Sequence, residues 1–166
     1  MQPLEPSDAF LVSAAEGWLG LGAVGEAFAE LDRVSPAARR HPVTLDARYL
    51  LLAHQRDWAA AAAVAHERRE QEPDHVAGWL HYAYAMRRQP GGGLPAAWAA
   101  LQSALTRFPE EPVVPYNLAC YACQMNQLDT ARELLRRACA HVAYPIRQMA
   151  LADADLEPLW PEIRGW

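Results

Sequence analysis

The sequence contains no lysine, and all fifteen of its basic residues are arginine. Twenty acidic residues outnumber them, which gives the 166-residue chain a formal charge of −5. Nucleic-acid binding depends mainly on basic contacts to phosphate, so this balance argues against a nucleic-acid partner. Cysteine is also scarce: three residues, an odd number at low density, predict no disulfide framework.

Long apolar runs are missing as well. No segment has the ~18 uncharged apolar residues that a membrane-spanning helix needs. The start of the chain, Met1–Asp8, lacks the basic stretch and the apolar run of a signal peptide. We therefore expect a cytoplasmic protein with no membrane partner.

Motifs that carry catalysis are also lacking. The six histidines form no His-x-x-x-His or His-Glu-x-x-His spacing, and no Gly-x-Ser-x-Gly is present. The glycines of Gly91–Gly93 are not followed by the Lys-Ser/Thr of a phosphate-binding loop. The charged run Glu67–Glu72, which includes Arg68, is typical of a solvated helix face. We therefore predict that the chain is not an enzyme and that it has no cofactor or metal.

What the chain does have is a period. Ala27, Ala61, Ala97 and Ala131 follow one another at steps of 34, 36 and 34 residues. Each lies in a helical run rich in alanine and arginine, usually closed by a proline. A fixed period in this range indicates a stacked helical-repeat array. We predict one domain, 1–166, with repeat units and a cap at 8–41, 42–74, 75–110, 111–145 and 146–166.

Helical periodicity extends nearly throughout, and no strand pattern of useful length is present. The predicted helices are 8–21, 23–36, 43–55, 57–71, 75–89, 95–107, 112–125, 128–142 and 146–152. Asp57 and Asp74 suit helix N-caps, and Pro95 and Pro112 suit the first turn of a helix. The stretch Pro90–Gly93 is the only flexible segment that the sequence predicts.

The units resemble the tetratricopeptide repeat. The fourth matches best, with Ala119 at the helix crossing followed by Ala131, Leu135 and Ala138, and Pro145 at the end. The resemblance implies an all-α fold: an α-solenoid of about four antiparallel helix pairs forming a right-handed superhelix. Small residues let the paired helices approach closely.

The tail is similar to a closing segment of bacterial tetratricopeptide proteins, in which a short helix and a Leu-x-Pro-Leu stretch cover the last repeat. We expect its apolar residues to form a lid on the open end of the stack. These residues are Met149, Leu151, Leu156, Leu159 and Trp160.

The resemblance also implies where a partner binds. In a tetratricopeptide superhelix the first helix of each unit lines the concave side, and ligands usually dock there. The implied function is a non-catalytic scaffold that binds a protein or peptide. The candidate residues of this concave groove are Leu50, His54, Leu80, Tyr84, Arg87, Arg88, Tyr116, Asn117, Cys120 and Gln124.

The composition of the groove bears on the ligand. The best-known tetratricopeptide mode clamps the carboxylate of a chaperone tail with lysines and asparagines. With no lysine in the chain and only Asn117 suitably placed, that mode is disfavoured. Arg87 and Arg88 remain suitable for an acidic side chain or terminus.

Two alternatives stay open. Exposed Trp160 or Trp166, or the weak first unit, would make the chain a self-associating module and a homo-oligomer. Cys120-x-x-Cys123 followed by Cys139 superficially suggests a thiol-dependent metal or redox site. Ordinary packing thiols are the competing interpretation of these cysteines.

Overall fold

The structure is a computed structural model that describes residues 2–141 and 145–166. Within these ranges the chain is helical and contains no strand, as the periodicity predicts. The α-helices are α1 Pro6–Gly20, α2 Val24–Arg33, α3 Pro42–His54, α4 Trp58–Gln71, α5 Val76–Arg88, α6 Leu94–Leu101, α7 Ala104–Arg107, α8 Val113–Gln124, α9 Leu128–Cys139, α10 Ile146–Ala152 and α11 Trp160–Ile163. A 3-10 helix, Ala154–Leu159, lies between α10 and α11.

The predicted helices agree with these bounds to within two residues except in three places. The helix predicted over 95–107 is interrupted, because α6 ends at Leu101 and α7 begins at Ala104. The helix predicted over 23–36 ends at Arg33, where Val34 takes an extended backbone. The helix predicted over 128–142 ends at Cys139, and residue 142 itself lies outside the described residues.

One of the two predicted N-caps is confirmed. The Asp57 carboxylate accepts a hydrogen bond of 3.1 Å from the Ala60 N–H at the start of α4. The prediction for Asp74 is wrong. The chain passes through a turn there, and the Nδ1 of His75 accepts the N–H of Ala77 instead.

The same turn recurs between the helices of three pairs. The left-handed residue is Gly22, Arg56 or Asn126, with φ of 76°, 60° and 60°. In each turn the next residue donates its N–H to a carbonyl five positions earlier, as in the Schellman motif. The repeat seen in the alanines is therefore also present in the backbone of the turns.

The chain divides into two compact units, residues 1–90 and 91–166. The division falls inside the third predicted repeat, within the glycine-rich stretch Pro90–Gly93. The single domain expected over 1–166 stays a prediction. The four periodic alanines are fully buried, Ala27 and Ala61 in unit 1 and Ala97 and Ala131 in unit 2.

The run Glu67–Glu72 was predicted to be a solvated helix face, but Arg68 within it is buried. Its side chain is only 4% exposed, and its Nε lies 3.1 and 3.0 Å from the two carboxylate oxygens of Asp46. Glu72 lies 3.0 Å from Nη1. Burial alone would raise the pKa of Asp46, but its contacts with His81 and Arg68 outweigh burial and lower it. Arg68 therefore ties α4 to α3 in the interior of unit 1.

The first helix is held to the loop after α2 by one carboxylate. Asp8 accepts hydrogen bonds from the N–H and the hydroxyl of Ser35, at 2.8 and 2.7 Å. These two bonds, the backbone one first, hold the pKa of Asp8 below its ordinary value of 3.8. Because the folded pKa is lowered, the contribution to stability is present above the ordinary pKa and is lost as the pH falls through the folded value.

We expect Asp8→Asn to remove this part of the acid dependence. The free energy of unfolding of the two proteins, measured by denaturant titration between neutral pH and about pH 2, should converge at the acid end because both side chains are then uncharged. A constant difference between the two proteins at every pH would contradict this role of the carboxylate.

Candidate functional site

The predicted groove residues lie on three helices. Leu50 and His54 are on α3, and the residues from Leu80 to Arg88 are on α5, all in unit 1. The remaining four are on α8 in unit 2. The set in unit 1 and the set in unit 2 differ in exposure.

In unit 2 the C-terminal segment covers the α8 face. The Tyr116 hydroxyl donates a hydrogen bond of 2.8 Å to Asp153, and the Cys120 thiol lies 3.5 Å from the same carboxylate. Gln124 donates to the backbone carbonyl of Asp155 at 3.1 Å. Burial, followed by the hydrogen bond to Asp153, raises the pKa of Tyr116. This face is occupied by the chain itself.

Tyr116 and Cys120 are therefore buried rather than lining an open groove. Asn117 is half-buried, and its amide donates to the Val113 carbonyl of its own helix at 2.8 Å. Of the four predicted residues on α8 only Gln124 is exposed. The resemblance placed these residues on a first helix, but the tail that covers them follows about 35 residues later in the sequence.

Two of the three thiols, those of Cys123 and Cys139, lie in environments that work against ionisation. Burial, with smaller contributions from Asp155 and Asp153, raises the pKa of Cys123, and burial also raises the pKa of Cys139. Nucleophilic, redox and metal-ligand chemistry all use the thiolate. Over residues 2–141 and 145–166 no three His, Cys, Asp or Glu side chains are grouped so that they could hold a metal ion. The geometry gives the thiol interpretation no support.

In unit 1 the corresponding surface is open. Leu50 is 44% exposed and Tyr84 41% exposed, and both are large apolar side chains. His54 lies one helical turn after Leu50 on the same face of α3 and is exposed. Leu80 and Arg87 are half-buried beside this exposed set.

A pocket of about 530 Å³ lies at one end of this surface. It lies at the turn between α3 and α4, beside the last turns of α5. Its lining residues are Ala53, His54, Arg56, Trp58, Tyr84 and Arg88. The rings of Trp58 and Tyr84 meet edge to face, with centroids 5.8 Å apart.

The Arg88 guanidinium lies against these rings. Its Cζ is 3.4 Å from the centroid of Tyr84 and 5.5 Å from that of Trp58. Its Nη1 donates to the Tyr84 carbonyl at 3.2 Å. The attraction between a guanidinium and the face of a Tyr or Trp ring restricts the motion of an arginine side chain that would otherwise move freely in solvent. The pocket therefore presents an ordered cation beside two aromatic rings.

Besides Ala53 on α3, sequence reasoning missed two members of this pocket, Arg56 and Trp58. Both lie outside the first helices, in the turn and at the start of α4. Their only signal is position: they flank Asp57, the predicted N-cap of α4. The resemblance directed attention to first helices alone, so it passed over these residues.

A second cleft in unit 1 contains more arginines than the pocket of Arg88, but acidic residues in the same cleft pair with two of them. About 400 Å³ in volume, it is lined by Arg39, Arg40 and Arg48 together with acidic residues. Arg40 pairs with Glu67, and Arg48 lies 3.6 Å from Asp32. Because acids within the cleft compensate its arginines, it is a weaker candidate for binding a charged partner than the pocket of Arg88.

None of the helices in the described part of the chain is both long enough and apolar enough to cross a membrane.

Comparison with known proteins bears on the fold. The sequence matches no protein-family model, and a search of curated proteins gives no match. Among solved structures, that of the MamA RS-1 ArsTM double mutant superposes with a TM-score of 0.68 at 17% sequence identity. The match covers 84% of this chain and 78% of that one. MamA is a tetratricopeptide-like protein, so the likeness shows that this chain has an all-α, tetratricopeptide-like fold.

Proposed function

We propose that this chain is a non-catalytic interaction module that binds a protein or peptide partner through unit 1. The proposed surface consists of Leu50 and His54 on α3 and Tyr84 and Arg88 on α5, with Leu80 and Arg87 at its edge. The observation that carries the proposal is the pair of exposed apolar side chains, Leu50 and Tyr84, on first helices of a tetratricopeptide-like fold.

The chemistry of this set suits recognition. Tyrosine and arginine are the residues that most often dominate interface energetics, and they do so beside apolar contacts that exclude water. Gln124 and Asn117 remain candidates at the edge of unit 2. Tyr116 and Cys120 are left out, because the C-terminal segment buries them.

Self-association through the tail tryptophans receives less support. The indole N–H of Trp160 donates to the Ala150 carbonyl at 2.9 Å, and Trp166 lies under Arg136, whose Cζ is 5.4 Å from the ring. Both side chains are engaged within unit 2. Light scattering across a concentration series tests self-association directly.

The interaction surface is tested by the double variant Leu50→Asp with Tyr84→Ala. Partners retained from the cell of origin by the wild-type chain should be lost from this variant, because an exposed apolar anchor is replaced by a charge. The matched control is Phe10→Asp with Leu21→Ala. Those side chains, 71% and 77% exposed on α1 and just after it, are even more accessible.

Capture is read by quantitative mass spectrometry, with circular dichroism as the check on folding. If the same proteins are retained by both double variants, the surface on α3 and α5 is not the binding site. If they are lost from the control alone, the binding site is on α1.

A further inference from the structure

We infer that the pocket of Trp58, Tyr84 and Arg88 binds a carboxylate side chain, so that the partner segment on unit 1 is an acidic peptide that also carries leucine. This inference rests on the proposed interaction function and specifies its ligand. Four features of the described residues support it: an ordered guanidinium, an arginine in a strained turn, a pocket lining without acidic residues, and an acidic segment already bound to the equivalent face of α8.

The guanidinium of Arg88 is ordered before any ligand arrives. It stacks on Tyr84 and donates one hydrogen bond to the carbonyl of that residue. An arginine has five N–H donors in a planar fork, so donors remain for a planar bidentate acceptor. Carboxylate has that geometry. Because the side chain is already fixed, binding costs less side-chain entropy than it does at a mobile arginine.

Arg56 adds a second cation at a backbone position that does not favour it. Its φ of 60° lies in the left-handed region, and the same position in the other two turns holds Gly22 and Asn126. Glycine and asparagine adopt this conformation with little cost, whereas a long side chain does not. A strained residue that lines a pocket is a reason to look for function there. Here the strained position brings a charge to the pocket.

The pocket is positive although the chain is acidic overall. Its six described lining residues include two arginines and a histidine and no acid, against a formal charge of −5 for the whole chain. The neighbouring acid, Asp57, does not line the pocket, and its carboxylate caps α4 by accepting the Ala60 N–H. A local positive site on a negative protein selects an anionic group and disfavours a cationic one.

The chain itself provides a template for the ligand. On α8 the positions one and five residues after the crossing alanine are Cys120 and Gln124, and on α5 they are Tyr84 and Arg88. The segment bound to α8 begins Asp153-Ala-Asp-Leu and continues Glu-Pro-Leu159. Its Asp153 carboxylate contacts Tyr116 and Cys120, and its Asp155 carbonyl accepts a hydrogen bond from Gln124. The position equivalent to Arg88 therefore meets a carbonyl acceptor, and the position equivalent to the Tyr116 donor is Leu80 on α5. A segment that carries acids and leucines thus packs on this face of a first helix in the same protein, with an acceptor opposite the position of Arg88.

The test uses a fluorescent peptide with the sequence of residues 152–160, and a neutral version in which the two aspartates and the glutamate are replaced by asparagine and glutamine. Anisotropy titrations with the full chain should give a Kd about tenfold lower for the acidic peptide at low ionic strength, as is typical of a charge-assisted bidentate pair. The difference should shrink in high salt.

Three variants show which residues produce the preference for the acidic peptide over the neutral one. Arg88→Gln should reduce it to less than about threefold, because the bidentate donor is lost. Arg56→Gly should weaken it without loss of folding, because glycine suits a φ of 60°. Arg33→Gln is the matched control, an exposed arginine on α2 paired with Glu30, and should leave the preference unchanged.

Equal affinity for the acidic and neutral peptides would overturn the inference, as would a preference that survives Arg88→Gln or a failure of both peptides to bind. Tighter binding of a version with phosphoserine in place of the glutamate would reassign the pocket to phosphate. If both peptides bind equally and Leu50→Asp abolishes both, the proposed interaction surface stands and only the carboxylate subsite fails.

Discussion

Substitution of alanine for Gly78 is expected to destabilise unit 1, although alanine favours a helix. Gly78 is buried in α5, and a Cβ built on it would lie 2.8 Å from both the Cα and the N of Arg69 in α4. The atoms it meets are backbone, so no rotamer change relieves the overlap. The two helices would have to move apart.

The helix-propensity gain and the overpacking cost oppose each other, and their magnitudes decide whether Gly78→Ala stabilises or destabilises the protein. Replacing glycine by alanine inside a helix gains about 1 kcal/mol in propensity. Forcing one methyl group into a closely packed contact costs about 1–3 kcal/mol, and a contact against backbone belongs at the upper end. We therefore expect a net loss of about 2 kcal/mol in the free energy of unfolding.

Separation of the helices would also disturb a second contact. The Arg69 guanidinium lies over the rings of Trp79 and Tyr82, with Cζ at 4.8 and 4.7 Å from their centroids. This contact joins α4 to α5 next to Gly78. The change in tryptophan fluorescence of the folded Gly78→Ala protein is a second readout of the same displacement.

The matched control is Gly17→Ala in α1. A Cβ at Gly17 meets nothing within 4 Å. With the propensity gain unopposed, this variant is expected to be more stable by about 0.5–1 kcal/mol. Denaturant titrations of both variants test the pair, and equal effects of the same sign would show that α4 and α5 do not approach closely at Gly78.

The helices and the repeat were predictable because each rests on a local signal. Proline and the N-cap residue Asp57 mark ends, and the alanine period marks the buried crossing positions. Gly78 carries no such signal. Glycine in a helix normally only destabilises it, and its benefit here depends on the backbone of another helix. Arg68 was misinterpreted for the same reason, because its partner Asp46 lies on α3.

The candidate site was predictable only in part. Leu50, His54, Tyr84 and Arg88 were named from the resemblance, which assigns the first helix of each pair to the concave side, and helical spacing then placed them on one face of that helix. Arg56 enters the pocket through a backbone conformation that the sequence favours for glycine or asparagine rather than arginine.

The C-terminal segment that covers α8 makes a long-range contact, which helical periodicity cannot predict. Helical periodicity assigns residues to a face of a helix, but it does not show which other segment packs there. The lid was predicted at the end of the stack, and its hydrogen bonds to the first-helix face of the last repeat were not. Met149, expected in that lid, is exposed.

Leu159→Ala is expected to cost unit 2 about 3 kcal/mol, within the range for removing a large side chain from a core. Leu159 is fully buried, as are Leu156 in the same 3-10 helix and Ile163 in α11. The exposed pairing of Arg132 with Glu162, at 2.6 and 2.8 Å, adds little by comparison. Most of what holds the C-terminal segment is therefore apolar burial.

The size of this effect decides whether the α8 face is ever open to a partner. A segment held by three buried aliphatic side chains is part of the core, and its amides should exchange with solvent as slowly as those of α8 and α9. Met149→Ala, at a partly exposed site on α10, is the matched control and should cost less than about 1 kcal/mol. If Leu159→Ala costs no more than Met149→Ala and the amides of residues 153–163 exchange fast, the segment detaches easily. Tyr116 and Cys120 would then return as candidates for partner binding, and the partner surface would no longer be confined to unit 1.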